Sequence, residues 1–280
     1  MKPNLEIWKK EISFKNFGFN HNNYLDFYKS QWQRTNICLN YVIYRIAIAL
    51  TFFTAFVLSI IDLDNIYKSA ALRAKWLIYL TNWHYTVCTL QSVLSACMVT
   101  RMYRQVRQNG EYMQMTFVNH TMCNVFWALN TIAVNGAVFV SLVYWTMVFD
   151  PRIDSLSVIN IFTHAINAVI LLVDYFIVAH PIRLLHFYIP CCFNLIYVAF
   201  SIMYYLLSGT DKHDRHFIYA ILDWKTPQST IKNLLFTVFL VLVLHIFLYF
   251  YILLRMFIAK NRFKSTDQAI CPLQGRSEDV

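Results

Sequence analysis

Residues 39–61 of the chain read LNYVIYRIAIALTFFTAFVLSII, and this stretch contains a single charged side chain, Arg45. A helix needs roughly 20 predominantly apolar residues to cross about 30 Å of hydrocarbon. Five further runs of similar length and character follow, at residues 76–99, 122–149, 157–179, 186–208 and 233–257. The sequence therefore predicts six transmembrane helices.

The composition agrees with a membrane protein. Hydrophobic residues make up 58% of the 280 residues and charged residues 14%, against roughly 45–50% and about 25% in soluble domains. Lipid tolerates only helices and closed barrels, and barrel strands are shorter than these runs. We expect an all-α, polytopic integral membrane protein. It has a cytosolic N-terminal segment (1–38), a bundle of six transmembrane helices (39–257) and a cytosolic, partly disordered tail (258–280).

The net charge of +9 does not indicate nucleic acid as a partner. Lys and Arg crowd into the connections, where topology and anionic headgroups favour them. Membrane lipids are therefore the expected partners, and the sequence identifies no protein partner. The chain lacks GxSxG, HExxH, Walker and GxGxxG patterns, and its 7 Cys have no metal or redox spacing. We predict no cofactor and no metal.

An even number of spans places both termini on one side of the membrane. Lys and Arg are slightly more numerous on that side, which favours cytosolic termini. Residues 39–61 are too long for a cleavable signal and are expected to act as an uncleaved anchor, in the plasma membrane or the endoplasmic reticulum. The sequon Asn119-His120-Thr121 then faces the cytosol.

Two ionisable residues inside the predicted spans lie at similar depth. Arg45 follows the cytosolic start of the first run and Asp174 precedes the cytosolic end of the fourth, so both lie about 8–9 Å deep in one leaflet. An ion pair between them would relieve the cost of burying each charge. The alternative is that Arg45 reaches the headgroups on its own. In either case the role is structural.

In the opposite leaflet, the hydroxyl of Thr81 and the imidazole of His164 are predicted to lie at the same depth. Thr81 and His164 lie near the starts of the second and fourth runs, which point the same way, so both are about 8–11 Å below the non-cytosolic surface. Such a pair can act as nucleophile and general base. The ordinary alternative is that each side chain bonds locally or across helices. His84 is a rival base, and His245 is a further candidate to line the same cavity.

Three motifs resemble those of a known family. Residues 26–32 (DFYKSQW) are similar to the N-terminal FxxSQW signature of insect Rolling stone-like proteins. Residues 80–83 (LTNW) resemble the opening of their second helix, and residues 163–168 (THAINA), followed by Asp174, resemble their THxxNA…D element. The resemblance covers most of the chain, from the N-terminal segment through the sixth run. It implies a membrane protein of a family associated with myoblast fusion.

These proteins are similar, more distantly, to the androgen-induced and androgen-dependent TFPI-regulating membrane proteins. That group comprises six-helix hydrolases of fatty acid esters of hydroxy fatty acids, with a catalytic Thr and His. Its Thr follows a Leu, as in Leu80-Thr81, and its His precedes an acidic residue by ten positions, as His164 precedes Asp174. The resemblance therefore implies Thr81 as nucleophile and His164 as base.

The neighbours of both residues depart from the hydrolase pattern. In those hydrolases another His and an Asn come just before the catalytic His, whereas Phe162 and Thr163 stand here. The sequence after Thr81 also differs from theirs. The second helix and the fourth therefore match the hydrolases at the reactive residues and not around them.

The first hypothesis about function is an intramembrane threonine hydrolase. A fatty acyl ester enters from the bilayer, and Thr81 attacks it with His164 as base. Candidate oxyanion donors are Asn82, His84 and Asn167. The acidic residue ten positions after the His lies about 15 Å away along the helix, too far to complete a triad.

The second hypothesis is a non-catalytic membrane protein that acts in cell–cell fusion or adhesion. The longest predicted non-cytosolic connection, 209–232, carries the charged cluster 211–215, Asp-Lys-His-Asp-Arg. Charged side chains on an exposed loop suit contact with a partner, although a solvated loop face is the ordinary explanation. Transport is disfavoured, because the runs lack matched half-repeats and Gly/Pro breaks.

The predicted orientation is testable with epitope tags at the two termini. Because both termini are expected in the cytosol, antibody should not reach either tag in intact cells. Both tags should bind antibody once the plasma membrane has been selectively permeabilised. Asn119 should also carry no glycan, so glycosidase treatment should leave the mobility of the protein unchanged. A glycan on Asn119 would reverse the assigned orientation.

Overall fold

The computed structural model describes residues 11–33, 37–62, 69–110, 115–152 and 156–274. Six long helices make up most of these ranges. They are α1 (Leu39–Ile60), α2 (Leu80–Asn109), α3 (His120–Val143), α4 (Val158–Ile177), α5 (Leu184–Leu206) and α6 (Pro227–Gln274). A π-helix at Tyr144–Val148 continues α3, and another at Phe162–Ile166 lies inside α4. The described residues form no strand, beyond an isolated bridge between Ser30 and Val178.

The predicted all-α membrane bundle is confirmed, whereas the count of six spans is not. Among the described residues, five helices are long and apolar enough to cross a membrane: Leu39–Ile60, His120–Val148, Val158–Ile177, Leu184–Leu206 and Pro227–Phe263. The remaining long helix, α2, packs against α1 and α3 and turns polar side chains inward, among them Thr89, Gln91, Ser92 and Ser95. These polar residues lower its average hydropathy.

The second predicted run does not form one helix. Lys75–Ile78 make a turn of 3-10 helix, Tyr79 is extended, and α2 begins at the next residue. The amide of Asn82 donates to the carbonyl oxygen of Trp76 at 2.7 Å and holds this break. Thr81 therefore lies in the first turn of α2 rather than inside a longer helix.

The last helix is longer than the predicted run 233–257. It begins at Pro227, a residue suited to the first position of a helix, and ends at Gln274. No Pro or Gly occurs between residues 258 and 271 to interrupt it. Residues 258–274 of the predicted tail are thus helical, and residues 275–280 lie outside the described ranges.

The main apolar core lies where α1 to α4 and α6 meet. It includes Phe52 of α1, Tyr85 of α2, Leu171 of α4 and Leu248 of α6. A second cluster packs residues 11–33, the N-terminal strap, against α1, α2 and α3. The strap therefore closes one end of the bundle.

Three residues of the strap cap the C-terminal end of α4. The last carbonyls of a helix have no intrahelical partner and must be satisfied by other groups. The Gln31 N–H and the Ser30 hydroxyl each donate to the carbonyl oxygen of Ile177 at 2.8 Å. The Trp32 indole donates to the carbonyl oxygen of Phe176 at 3.0 Å. The Ser-Gln-Trp part of the N-terminal motif thus acts as a helix cap.

Arg255 of α6 completes this cap from the other side. Its side chain is buried and donates to the carbonyl oxygens of Tyr175 at 3.0 Å and His180 at 3.2 Å. Hydrogen bonds from a charged donor are stronger than neutral ones. Arg255 therefore ties α6 to the end of α4.

Arg45 and Asp174 form the ion pair predicted from their depth. The Arg45 Nη1 lies 2.5 Å from the Asp174 Oδ1, and the two side chains are 1% and 2% exposed. Arg45 Nε also donates to the Ser95 hydroxyl at 2.8 Å, and the Tyr44 hydroxyl donates to Asp174 at 2.9 Å. This network joins α1, α2 and α4 at one level.

Breaking this pair should destabilise the protein strongly. Asp174→Leu leaves the Arg45 charge buried without its carboxylate, which should cost about 3–5 kcal/mol of folding free energy. The double variant Arg45→Met, Asp174→Leu should recover much of that loss, because neither charge is then buried. A double-mutant cycle of thermal stability in detergent micelles measures the coupling.

The exposed pair Asp150–Arg152 supplies the control. Surface ion pairs contribute little, so Asp150→Asn should leave the melting temperature unchanged. Additive losses in the Arg45, Asp174 cycle would show that the two side chains do not stabilise each other.

Candidate functional site

The structure brings Thr81 and His164 together. The Oγ1 of Thr81 lies 3.3 Å from the Nε2 of His164. Thr81 is in the first turn of α2, and His164 is in the π-helical part of α4. Both side chains are partly buried. The pair has the separation of a hydroxyl and the base that takes its proton.

The surroundings of His164 determine which ring nitrogen carries the proton. Its Nδ1 lies 3.0 Å from the backbone carbonyl oxygen of Asn160, a group that can only accept a hydrogen bond. The Thr163 hydroxyl, 3.0 Å from the same nitrogen, donates to the Ile159 carbonyl and so can also accept. The proton therefore belongs on Nδ1, and Nε2 faces Thr81 with a lone pair.

Two π-helical segments hold the ring in this position. Tyr144, at the start of one, stacks on the imidazole with ring centroids 3.5 Å apart, and its hydroxyl accepts from the Asn160 amide at 2.6 Å. The Trp145 indole donates to the His164 carbonyl oxygen at 3.0 Å. π-helical turns rearrange the backbone ladder and are frequent at functional sites. Here they hold the His164 imidazole in place.

Asp174 is not part of this site, as its distance along α4 predicts. Its carboxylate is bound by Arg45 and Tyr44. The backbone carbonyl of Asn160 has the orienting role that an acidic residue has in a catalytic triad. Because this group is a backbone carbonyl, which any residue at position 160 supplies, the sequence held no signal for it.

The rival His residues lie elsewhere. The Nε2 of His84 is 2.9 Å from the Ala133 carbonyl oxygen, and that side chain is 1% exposed. The Nε2 of His245 is 3.0 Å from the carbonyl oxygen of Arg183. Neither residue lines the cavities that reach Thr81. Both are packing residues that form a hydrogen bond to a backbone carbonyl of another segment.

Two cavities meet at Thr81. The first has a volume of about 130 Å³ and lies among α3, α5 and α6, with an almost entirely apolar lining. The second has a volume of about 200 Å³ and is lined by His164, Asn160, Lys212 and a mixture of other polar and apolar residues. We call them the apolar cavity and the polar cavity. They share five lining residues, which are Thr81, Tyr144, Val148, Tyr219 and Ile221.

The apolar cavity reaches the lipid-facing surface. Leu195 of α5 and Val238 of α6 line it and are 58% and 41% exposed. In a bundle whose outer face contacts acyl chains, such residues border an opening to lipid. An apolar molecule can therefore approach Thr81 from within the bilayer.

Tyr219 is a site residue that the sequence did not indicate. It lies in the connection between α5 and α6 and lines both cavities. Burial raises the pKa of its phenol. A loop tyrosine so far along the chain from Thr81 has no spacing signal.

The charged cluster 211–215 forms hydrogen bonds within its own loop and with Lys75. The Asp211 side chain is buried and accepts from the guanidinium of Arg215 at 2.7 Å and from the His213 N–H at 2.8 Å. Lys75, just before α2, donates to the Asp211 carbonyl oxygen at 2.7 Å. The loop is thus folded against the start of α2, where Lys212 and Arg215 line the polar cavity.

Within the described ranges, no group of three or more His, Cys, Asp or Glu side chains is placed to hold a metal ion. The polar atoms near Thr81 are instead those of an imidazole, hydroxyls, amides and backbone groups. The arrangement offers a nucleophile, a base and two unlike cavities. This chemistry suits acyl transfer from an amphipathic ester.

Comparisons with known proteins agree over most of the chain. The family model described as "Protein rolling stone" matches residues 4–270. The protein rolling stone of Drosophila melanogaster is 30% identical over 258 residues, which cover 89% of this chain and 90% of that protein. No solved structure matches the chain.

Proposed function

This chain belongs to the Rolling stone family, and we propose that it is an intramembrane hydrolase of fatty acyl esters, with Thr81 as nucleophile and His164 as general base. One observation carries the proposal. The Thr81 Oγ1 lies 3.3 Å from a His164 nitrogen whose partner nitrogen is held as a donor. The pair lies where an apolar and a polar cavity meet.

The reaction follows from this geometry. His164 Nε2 takes the hydroxyl proton as the Thr81 oxygen bonds to the ester carbonyl carbon. The tetrahedral intermediate collapses, the alcohol leaves with the proton from His164, and an acyl-threonine remains. Water then attacks the acyl group, again with His164 as base, and releases a fatty acid and free Thr81.

The two cavities suit the two ends of such an ester. The acyl chain lies in the apolar cavity, which it enters between α5 and α6 from the bilayer. The alcohol part lies in the polar cavity, beside Lys212 and Asn160. Ligand sites of this kind are mostly apolar, with a few polar groups that set orientation. The ester bond then lies at the junction, next to Thr81.

The alternative is a non-catalytic role in cell–cell fusion or adhesion. It follows from the association of the family with myoblast fusion, and the charged cluster 211–215 is the loop feature that would suit contact with a partner. Asp211 is buried and Arg215 binds it, so this part of the cluster holds the loop together instead of presenting it to a partner. The hydrolase proposal uses the same loop as a wall of the site and is better supported by the geometry.

The proposed reaction requires both side chains. Thr81→Ala should reduce turnover of a long-chain fluorogenic ester by the purified protein by about 10³-fold or more, because the nucleophile is lost. His164→Gln should reduce it by about 10²–10⁴-fold. A fluorophosphonate probe should label the wild type and not the Thr81→Ala variant.

Thr86→Ala is the matched control. Thr86 lies on the same helix, and its hydroxyl only returns to the Asn82 carbonyl oxygen at 2.7 Å, so activity should stay at the wild-type level. Undiminished ester turnover by Thr81→Ala would refute the proposal. Rescue of fusion by a Thr81→Ala, His164→Ala double variant, in cells that lack the protein, would favour the non-catalytic alternative.

The placement of the acyl chain is testable by filling the apolar cavity. Val198 of α5 lines it, and Val198→Phe should take up space that a long chain needs. The kcat/KM for long-chain esters should fall about tenfold or more, equivalent to about 1.4 kcal/mol, while short-chain esters should be affected less. A chain-length series of esters measures this difference.

Val243→Phe is the control, because Val243 is 42% exposed on the lipid-facing surface of α6. It should leave the chain-length profile unchanged. Equal losses for short and long chains in Val198→Phe would place the acyl chain elsewhere.

A further inference from the structure

We propose that Tyr219 is a further catalytic residue, whose hydroxyl donates to the ester carbonyl oxygen and stabilises the negative charge that develops there. This inference rests on the proposed function and adds the oxyanion donor that Thr81 and His164 do not supply. Such donors act only where the charge forms, next to the nucleophile.

Tyr219 is held firmly over the start of α2. Its ring packs edge-on against Tyr79, with centroids 5.9 Å apart, and in a tilted arrangement against Tyr197 of α5 at 6.4 Å. The Lys212 N–H donates to the Tyr79 hydroxyl at 3.2 Å, which joins the loop to the same tyrosine. These contacts fix the ring where the two cavities meet.

The Tyr219 side chain faces the same space as the nucleophile. Thr81 and Tyr219 both line the apolar cavity and the polar cavity at their junction. The first N–H groups of a helix have no intrahelical partner, and in α2 it is the next two that bond to the Tyr79 carbonyl oxygen. An ester carbonyl approaching Thr81 brings its oxygen to this point, where the phenol proton can turn toward it.

The other oxyanion donors predicted from the sequence either bond to another group or do not line the two cavities. The Asn82 amide donates to the Trp76 carbonyl oxygen at 2.7 Å. Asn167 is fully buried in α4, and His84 is buried between α2 and α3; neither lines the two cavities. Burial raises the pKa of the Tyr219 phenol, so its proton is present at neutral pH.

The step balances without any further reactant. As the Thr81 oxygen bonds to the carbonyl carbon, the π electrons of the carbonyl move onto its oxygen, and the hydroxyl proton passes to His164. Tyr219 donates a hydrogen bond to this oxyanion and keeps its proton. When the carbonyl reforms, the alcohol leaves with the proton from His164.

Tyr219→Phe tests the inference, because it removes one oxygen and keeps the ring that packs on Tyr79. In the purified full-length protein, kcat should fall about 10²–10³-fold with little change in KM. Affinity for a long-chain trifluoromethyl ketone, which forms an oxyanion on Thr81, should fall by a similar factor. Affinity for the matching ether, which forms none, should not change.

Tyr204→Phe is the matched control. Its hydroxyl donates to the Thr210 carbonyl oxygen at 3.0 Å, and Tyr204 lines neither cavity. Wild-type kcat is expected for this variant, and both variants should melt at the wild-type temperature.

The outcomes separate the two proposals. If the wild type shows no Thr81-dependent ester turnover, the proposed function and this inference both fail. If the wild type is active and Tyr219→Phe retains its kcat and ketone affinity, the function stands and the role of Tyr219 is refuted. Equal losses of ketone and ether affinity would assign Tyr219 to shaping the cavity instead.

Discussion

The buried pair between Arg45 and Asp174 is the constraint on which the arrangement of the helices depends. In lipid an unpaired charge is not hydrated and is costly, so the two charged side chains pair inside the bundle. The guanidinium also binds Ser95 of α2. α2 and α4 are therefore held together at this level, and because both are long and run in the same direction, their other ends also lie side by side. Thr81 and His164 meet at those ends.

The irregular backbone at the two ends of α4 has hydrogen-bond partners. The C-terminal carbonyls of α4 are satisfied by the N-terminal strap and by Arg255. At the opposite end of the same helix, the π-helical turn directs the Asn160 carbonyl at the His164 ring. Within a bilayer, non-helical backbone is tolerated only where it is buried in protein or lines a cavity. The one helix thus has a capped end that is structural and an irregular end that lines the candidate site.

The connection between α5 and α6 adds what the helices alone lack. Through Asp211, Lys75 and Tyr79 it is fixed against the start of α2, and it contributes Tyr219 to the junction of the two cavities. Within its charged cluster, Asp211 is buried and binds Arg215, whereas Asp214 is exposed. A polar cavity next to an apolar one suits an amphipathic molecule, which is the substrate class of the proposed function.

The sequence by itself determined the solvent of this protein, the helical class of its fold and the depth of its polar residues. Run length and hydropathy indicate membrane helices, and a rise of about 1.5 Å per residue converts position along a run into depth, which was enough to pair Arg45 with Asp174 and Thr81 with His164. The tertiary structure alone decided where α2 begins, which nitrogen of His164 faces Thr81, and that Tyr219 lies beside them. The reason is that depth is one coordinate along an axis. The rotation of a helix about that axis, and the path of a loop over its end, follow from side-chain packing between segments that are far apart in the chain.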